Sequence, residues 1–152
     1  MGARRKKSKK RSAASSQRRP DPTVFFIDRN LGRSTVAAAL RTIGEQVEVH
    51  DDHLPSDAPD ADWINLCGVR RWLAITRDKN IRYREWEKAS IRASKARIFV
   101  LRAKNLTGEE MGKVLAVAVP KMQSFSNKQA PPFVAAAYRD GSVKMLEMSW
   151  TN

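Results

Sequence analysis

The chain has 152 residues, 41% of them hydrophobic, and a formal net charge of +13. That length suits one domain with a real core, and that apolar content excludes a wholly disordered protein. No apolar run approaches a membrane span, the basic N-terminus lacks the apolar segment of a secretory signal, and the lone Cys67 excludes an internal disulfide or a multi-cysteine zinc framework.

A reducing, cytoplasmic compartment is the simplest expectation. The charge is uneven. Nine of the 29 Lys and Arg residues lie within residues 1–20, where there is no acid, so the remainder is only mildly basic. Like charges repel and there is little apolar surface to bury, so residues 1–22 are expected to form a disordered basic arm. Such arms bind nucleic acid by releasing counterions. A single folded domain is expected over 23–152.

Thr23–Ile27 is β-branched and aromatic and reads as a buried strand. Asp28-Arg29-Asn30-Leu31-Gly32 is a turn. A helix follows, with Val36, Leu40 and Ile43 at helical spacing and Gly44 as its stop. Val47–His50 is a second strand, ending at Asp51-Asp52-His53. After a loop with two prolines, Asp60 is placed to cap a helix in which Trp63, Leu66 and Cys67 share a face. Trp72–Thr76 is a third strand, ending in Arg77-Asp78-Lys79-Asn80. A charged helix spans roughly Arg84 to Ser94, with Trp86, Ala89 and Ala93 expected to face inward. Arg97–Leu101 is a fourth strand.

Thr107-Gly108-Glu109-Glu110 is a capping box. It opens a longer helix with Met111, Val114, Leu115, Ala118 and Met122 on one stripe. Pro120 is expected to kink or end it. Phe133–Tyr138 and Ser142–Glu147 read as two strands joined by a turn at Arg139-Asp140-Gly141. Four apolar strands alternating with helices predict an α/β fold: a mainly parallel sheet with helices on its faces and a C-terminal β addition.

In open parallel sheets, ligands bind beyond the carboxyl ends of the strands. Asp28 follows strand one, Asp51 and Asp52 follow strand two, and Asp78 follows strand three. Asp60 and Asp62 open the next helix at the same edge. One such aspartate is ordinarily a cap or turn residue. Three strands in succession delivering carboxylates to one rim point to a shared site. Carboxylates held close raise one another's pKa, and a hard divalent cation, Mg2+ or Mn2+, resolves the conflict. Such an ion activates water and neutralises charge on a phosphodiester.

Arg29, Arg77, Lys79, Arg82 and Arg84 flank these acids and can hold substrate phosphates. Tyr83 and Trp86 can stack on single-stranded bases, although the apolar stripe around Trp86 favours a core role. Zinc at His50 and His53 is disfavoured, because neighbours in an extended segment point to opposite sides and Cys67 reads as buried. The turn after strand one lacks a GxGxxG phosphate loop, which disfavours a nucleotide cofactor.

Phe26-Ile27-Asp28-Arg29-Asn30-Leu31-Gly32, His50-Asp51-Asp52-His53, Asp60-Ala61-Asp62-Trp63 and Leu73-Ala74-Ile75-Thr76-Arg77-Asp78-Lys79 together resemble PIN-like domains of the VapC-type toxin–antitoxin group. Asn105-Leu106-Thr107-Gly108-Glu109-Glu110-Met111 is similar to a stretch in one branch of these proteins. The resemblance covers about residues 24–115 and rests on order and spacing. It implies a three-layer α/β/α nuclease, dependent on Mg2+ or Mn2+, that cleaves RNA and is inhibited by a cognate antitoxin covering or filling an acidic pocket.

It assigns the metal to Asp28, Asp60 and Asp78, with Asp51, Asp52 or Asp62 completing the shell or orienting water. Thr76 resembles the hydroxyl residue preceding the strand-three acid. PIN-like proteins are often homodimers. Arg29 stands where related groups often carry a glutamate, which keeps open the alternative of a non-catalytic RNA- or partner-binding module on the same scaffold.

Overall fold

The computed structural model describes residues 22–32 and 34–150. The basic arm expected over 1–22 lies outside the described residues, apart from Pro22. Six strands form one sheet: β1 (Val24–Ile27), β2 (Gln46–Val49), β3 (Leu73–Thr76), β4 (Arg97–Arg102), β5 (Phe133–Tyr138) and β6 (Val143–Met145). Four helices accompany them: α1 (Thr35–Thr42), α2 (Asp60–Arg70), α3 (Glu85–Ser94) and α4 (Gly108–Lys128).

The strand order is β2-β1-β3-β4-β5-β6. The first five strands run parallel, and β6 returns antiparallel along β5. Strand alternation sorts the core into two layers. Phe25, Ile27, Leu73, Ile75, Phe99 and Phe133 point to one face, against Leu40 of α1 and Leu115 and Met122 of α4. Phe26, Ala74, Ile98, Val100 and Val134 point to the other, against Trp63 and Cys67 of α2 and Ile91 of α3. Each large side chain so buried contributes roughly 1.5–3 kcal/mol relative to exposure. The result is the expected three-layer α/β/α arrangement with a C-terminal β addition.

The chain leaves β1 toward β2 on one side, then crosses back to build β3, β4 and β5 on the other. Between β1 and β3 the winding therefore reverses, which is the switch point where α/β sheets open a crevice. α1 covers one face on the leftward step, and α2 and α3 cover the opposite face on the rightward steps, so these three crossovers share a hand. α4 also steps rightward, yet packs beside α1. Its crossover has the opposite hand, a rare arrangement among parallel strands. On the α2/α3 face, Leu146, Met148 and Trp150 of the C-terminal segment pack against the core that α4 leaves uncovered.

Three local expectations are corrected. Pro120 does not end the helix: α4 runs through it to Lys128. Pro120 is exposed, so the carbonyl it leaves without a partner can turn to water, while Leu115, Ala118, Val119 and Met122 anchor both flanks in the core. In α3, Trp86, Ala89 and Ala93 face outward rather than inward, and Ile91 carries the buried contact. The helix packs its Ile91 and Ser94 side toward α2, where a Cβ on Gly68 would collide with Ser94. Finally, His50–Asp52 is a turn of 3-10 helix rather than extended chain, so the premise used against paired histidines there does not hold.

Candidate active site

The parallel register sets Ile27 beside Ile75, and the Asp28 amide donates to the Ile75 carbonyl at 3.0 Å. One residue further, the two chains meet through side chains. The Thr76 hydroxyl donates to Asp28 Oδ2 at 2.7 Å. It accepts from the Asp78 amide at 3.1 Å and from Asn30 Nδ2 at 3.1 Å. Asn30 Oδ1 in turn accepts from the Arg77 amide at 3.0 Å. Asp28 Oδ1 accepts from the Arg29 amide at 2.7 Å. Thr76 is fully buried and Asp28 is 6% exposed. These bonds stitch β1 to β3 across the switch point and fix the Asp28 carboxylate.

The helix N-termini bring the other groups. Asp60 opens α2, but it does not cap it; Pro59 holds the cap position and makes no side-chain bond there. Asp60 Oδ1 instead accepts from the indole N–H of Trp63 at 3.1 Å. Arg84 occupies the cap position of α3. Its guanidinium donates to Asp78 Oδ2 and lies 3.6 Å from Asp60 Oδ2, while its Nε donates to Glu87 at 3.1 Å. Asp78 Oδ1 accepts from the Asn80 amide at 3.0 Å.

Asp28, Asp60 and Asp78 thus share one neighbourhood, linked by a hydroxyl on one side and a guanidinium on the other. Burial raises the Asp28 carboxyl above its ordinary range. The Asp60 charge pushes the same way, against the opposing effects of the Thr76 hydroxyl, the Arg29 amide and His50. Asp78 first, and then Glu87, hold Arg84 more firmly protonated still, against a smaller opposing effect of burial.

A raised folded-state carboxyl has a definite consequence. The native state binds that proton more tightly than the unfolded chain, so its stability falls as pH rises through and above the ordinary carboxylate range. The cost is fully present at neutral pH. The parent's melting temperature should therefore fall as pH rises through that range more steeply than that of Asp28→Asn, in paired thermal melts across pH.

The remaining nominated residues are placed elsewhere. Asp51 and Asp52 lie in the 3-10 turn, lining a separate hollow with Arg29, Val49 and His50. His50 is buried there, with Nδ1 3.6 Å from Asp51 Oδ1. His53 pairs with Glu48 at 2.7 Å. Asp62 is exposed on α2, and Arg82 turns away to donate to the Glu147 carbonyl at 2.7 Å. Cys67 is buried, and that burial pushes its thiol well above its ordinary value, which suits an inert core residue.

Arg77 and Lys79 line a groove of about 760 Å³ along the carboxyl ends of the strands, together with Asn30, Asp78, Arg102 and Lys104. Arg102, Lys104 and Asn30 were not singled out from sequence. The first two lie at the end of β4 and just beyond it, and the rule that selected Asp28 and Asp78, position beyond a parallel strand, would have found them.

The resemblance implies a divalent cation. The donors at hand are carboxylate, hydroxyl and amide oxygens, the chemistry that Mg2+ or Mn2+ takes. They do not form a finished cage. Among the described residues no group of three or more His, Cys, Asp or Glu side chains is gathered to hold a metal. The cation between Asp60 and Asp78 is the Arg84 guanidinium. In donor type these oxygens suit such an ion, while in this arrangement the guanidinium occupies the place between two of them.

No helix among the described residues is long and apolar enough to cross a membrane. No curated protein and no solved structure matches the chain. The family model described as PIN like domain matches residues 23–103, which takes in β1 to β4 together with Asp28, Asp60, Asp78 and Arg84. Matched over more than half its length, the chain belongs to the PIN-like domain family.

Proposed function

We propose that the protein is a metal-dependent endoribonuclease whose hydrolytic site is built on Asp28, Asp60 and Asp78. The observation that carries this reading is the convergence of these carboxylates at the crevice between β1 and β3, with Asp28 desolvated and repelled by Asp60. When bound, Mg2+ or Mn2+ supplies activation of water and neutralisation of developing charge. The chain does the rest. Thr76 holds Asp28 in one orientation, and Asn30 ties Thr76 to the following backbone. Arg77, Lys79, Arg102 and Lys104 give the substrate backbone a basic track beside the acids. Arg84 balances Asp60 and Asp78 until the site fills.

The toxin role belongs to the same proposal. Its support is the resemblance of the strand-end segments to the VapC-type group. A cognate antitoxin, in this reading, covers or fills the acidic crevice. A homodimer and a cytoplasmic setting follow from that resemblance as well.

A second reading is favoured by one observation. Arg84 already neutralises Asp60 and Asp78, as it would in a binding module that needs no ion. Titration with Mn2+ separates the two. The nuclease should gain melting temperature with rising Mn2+ and cut single-stranded RNA, with both effects reversed by chelator. A melting temperature indifferent to Mn2+ and Mg2+, with intact RNA, would favour the binding module.

A further inference from the structure

Trp86 is 82% exposed, on a helix whose other side is packed. A single exposed aromatic is ordinary, whereas a contiguous exposed apolar face marks a surface with a partner. Trp86 does not stand alone. Ala89 and Ala93 continue its face along α3, and Trp150 of the C-terminal segment joins them to line a cleft of about 560 Å³. The cleft exists because α4 crosses to the other side of the sheet. The C-terminal segment covers the vacated core instead, and its end is moored by the Arg92 guanidinium donating to the Trp150 carbonyl at 3.0 Å. Lys88 and Arg92 also line the cleft, against one acid, Glu85.

The path from this cleft to the acidic crevice is short. Trp86 lies within the first turn of α3, and Arg84, which holds Asp60 and Asp78, caps that turn. Tyr83, next to Arg84 in the chain, is 60% exposed, with the Arg82 guanidinium 4.5 Å from its ring centroid. Exposed aromatic faces interleaved with guanidinium groups form the surface on which unpaired bases stack while phosphates meet positive charge. Duplex bases are already stacked and cannot reach such a face. Lys88 and Arg92 against Glu85 leave the cleft with a positive balance, which favours a phosphate backbone.

We infer that the cleft between Trp86 and Trp150 is a base-binding subsite for single-stranded RNA, receiving a nucleotide on the α3 side of the acidic crevice. The inference rests on the ribonuclease reading for the identity of the polymer and deepens it by naming where the strand is held.

The test compares two labelled probes of equal length, an oligouridylate and its abasic phosphate backbone, by fluorescence anisotropy without added divalent cation. The parent should prefer the oligouridylate about tenfold, as one stacked base contributes. Trp86→Ala should abolish that preference and leave abasic binding unchanged, and Trp86→Tyr should restore most of it. Because Trp86 is exposed, the variant should keep the parent's circular dichroism. If Trp86→Ala binds oligouridylate as the parent does, or weakens both probes equally, the subsite is refuted. So too if the parent lacks base preference and sediments as a dimer that Trp86→Ala dissociates, since the occupant is then a second copy. A base preference that survives Asp78→Asn, in a parent that never cleaves RNA, would keep the subsite and remove the nuclease.

Discussion

Asp78→Asn is expected to lower RNA cleavage by about a thousandfold, roughly 4 kcal/mol of transition-state stabilisation, while the fold survives. The two halves of that expectation have separate physical grounds. Asp78 Oδ1 accepts from the Asn80 amide, and an asparagine carbonyl can do the same, so the turn after β3 keeps its shape. Asp78 Oδ2 loses its charge toward Arg84, but that arginine is 43% exposed and the pair is open to solvent. Such pairs are worth about 0–1 kcal/mol.

What disappears is one of the three anionic oxygen donors of the proposed site. Single-turnover cleavage of labelled single-stranded RNA, paired with a thermal melt, checks both halves. Parent-like cleavage by a folded Asp78→Asn protein would remove this residue from the site.

Trp63→Ala should produce the largest loss of stability, about 3–5 kcal/mol, and hence a melting temperature lower by about 10 °C. The indole is fully buried and stacks on Phe26, with ring centroids 5.8 Å apart and planes 18° from parallel. Phe26 stacks again on Trp72 at 6.1 Å, so the cavity would open in the middle of an aromatic layer. Trp63→Phe is the sharper probe. It keeps a stacked ring but deletes the N–H that holds Asp60 at 3.1 Å. Loss of that bond should cost about 1 kcal/mol of stability, and cleavage should fall by a larger factor than stability does. Equal effects on both would mean that Trp63 serves the core alone.

Much of this was legible before any coordinates. Short apolar strands alternating with helices define a parallel sheet, and parallel sheets deliver strand-end residues to one rim. Asp28, Thr76 and Asp78 follow from that rule, as does Asp60 from its place at the start of a helix. What sequence could not supply was set by packing between elements distant in the chain.

The outward turn of Trp86 goes with the packing of Ser94 against Gly68, a contact that no periodicity within α3 reveals. The unbroken α4 depends on a core deep enough on both sides of Pro120 to outweigh one missing hydrogen bond. The pairing of Arg84 with Asp60 and Asp78 needs two helix starts to sit side by side, which follows only from strand order. The reversed hand of the last crossover was hidden for the same reason, since hydrophobic pattern fixes which side of a helix is apolar but not which side of the sheet it covers.

Glycine at 68 lets Ser94 approach closer than any side chain would allow, so α2 and α3 pack tightly near their C-terminal ends. In the proposed nuclease, a cation reaching the acids must displace the Arg84 guanidinium, whose side-chain rotation takes picoseconds to nanoseconds for an exposed group. Occupancy of the acids should thus be governed by competition between charges rather than by the tempo of a conformational gate.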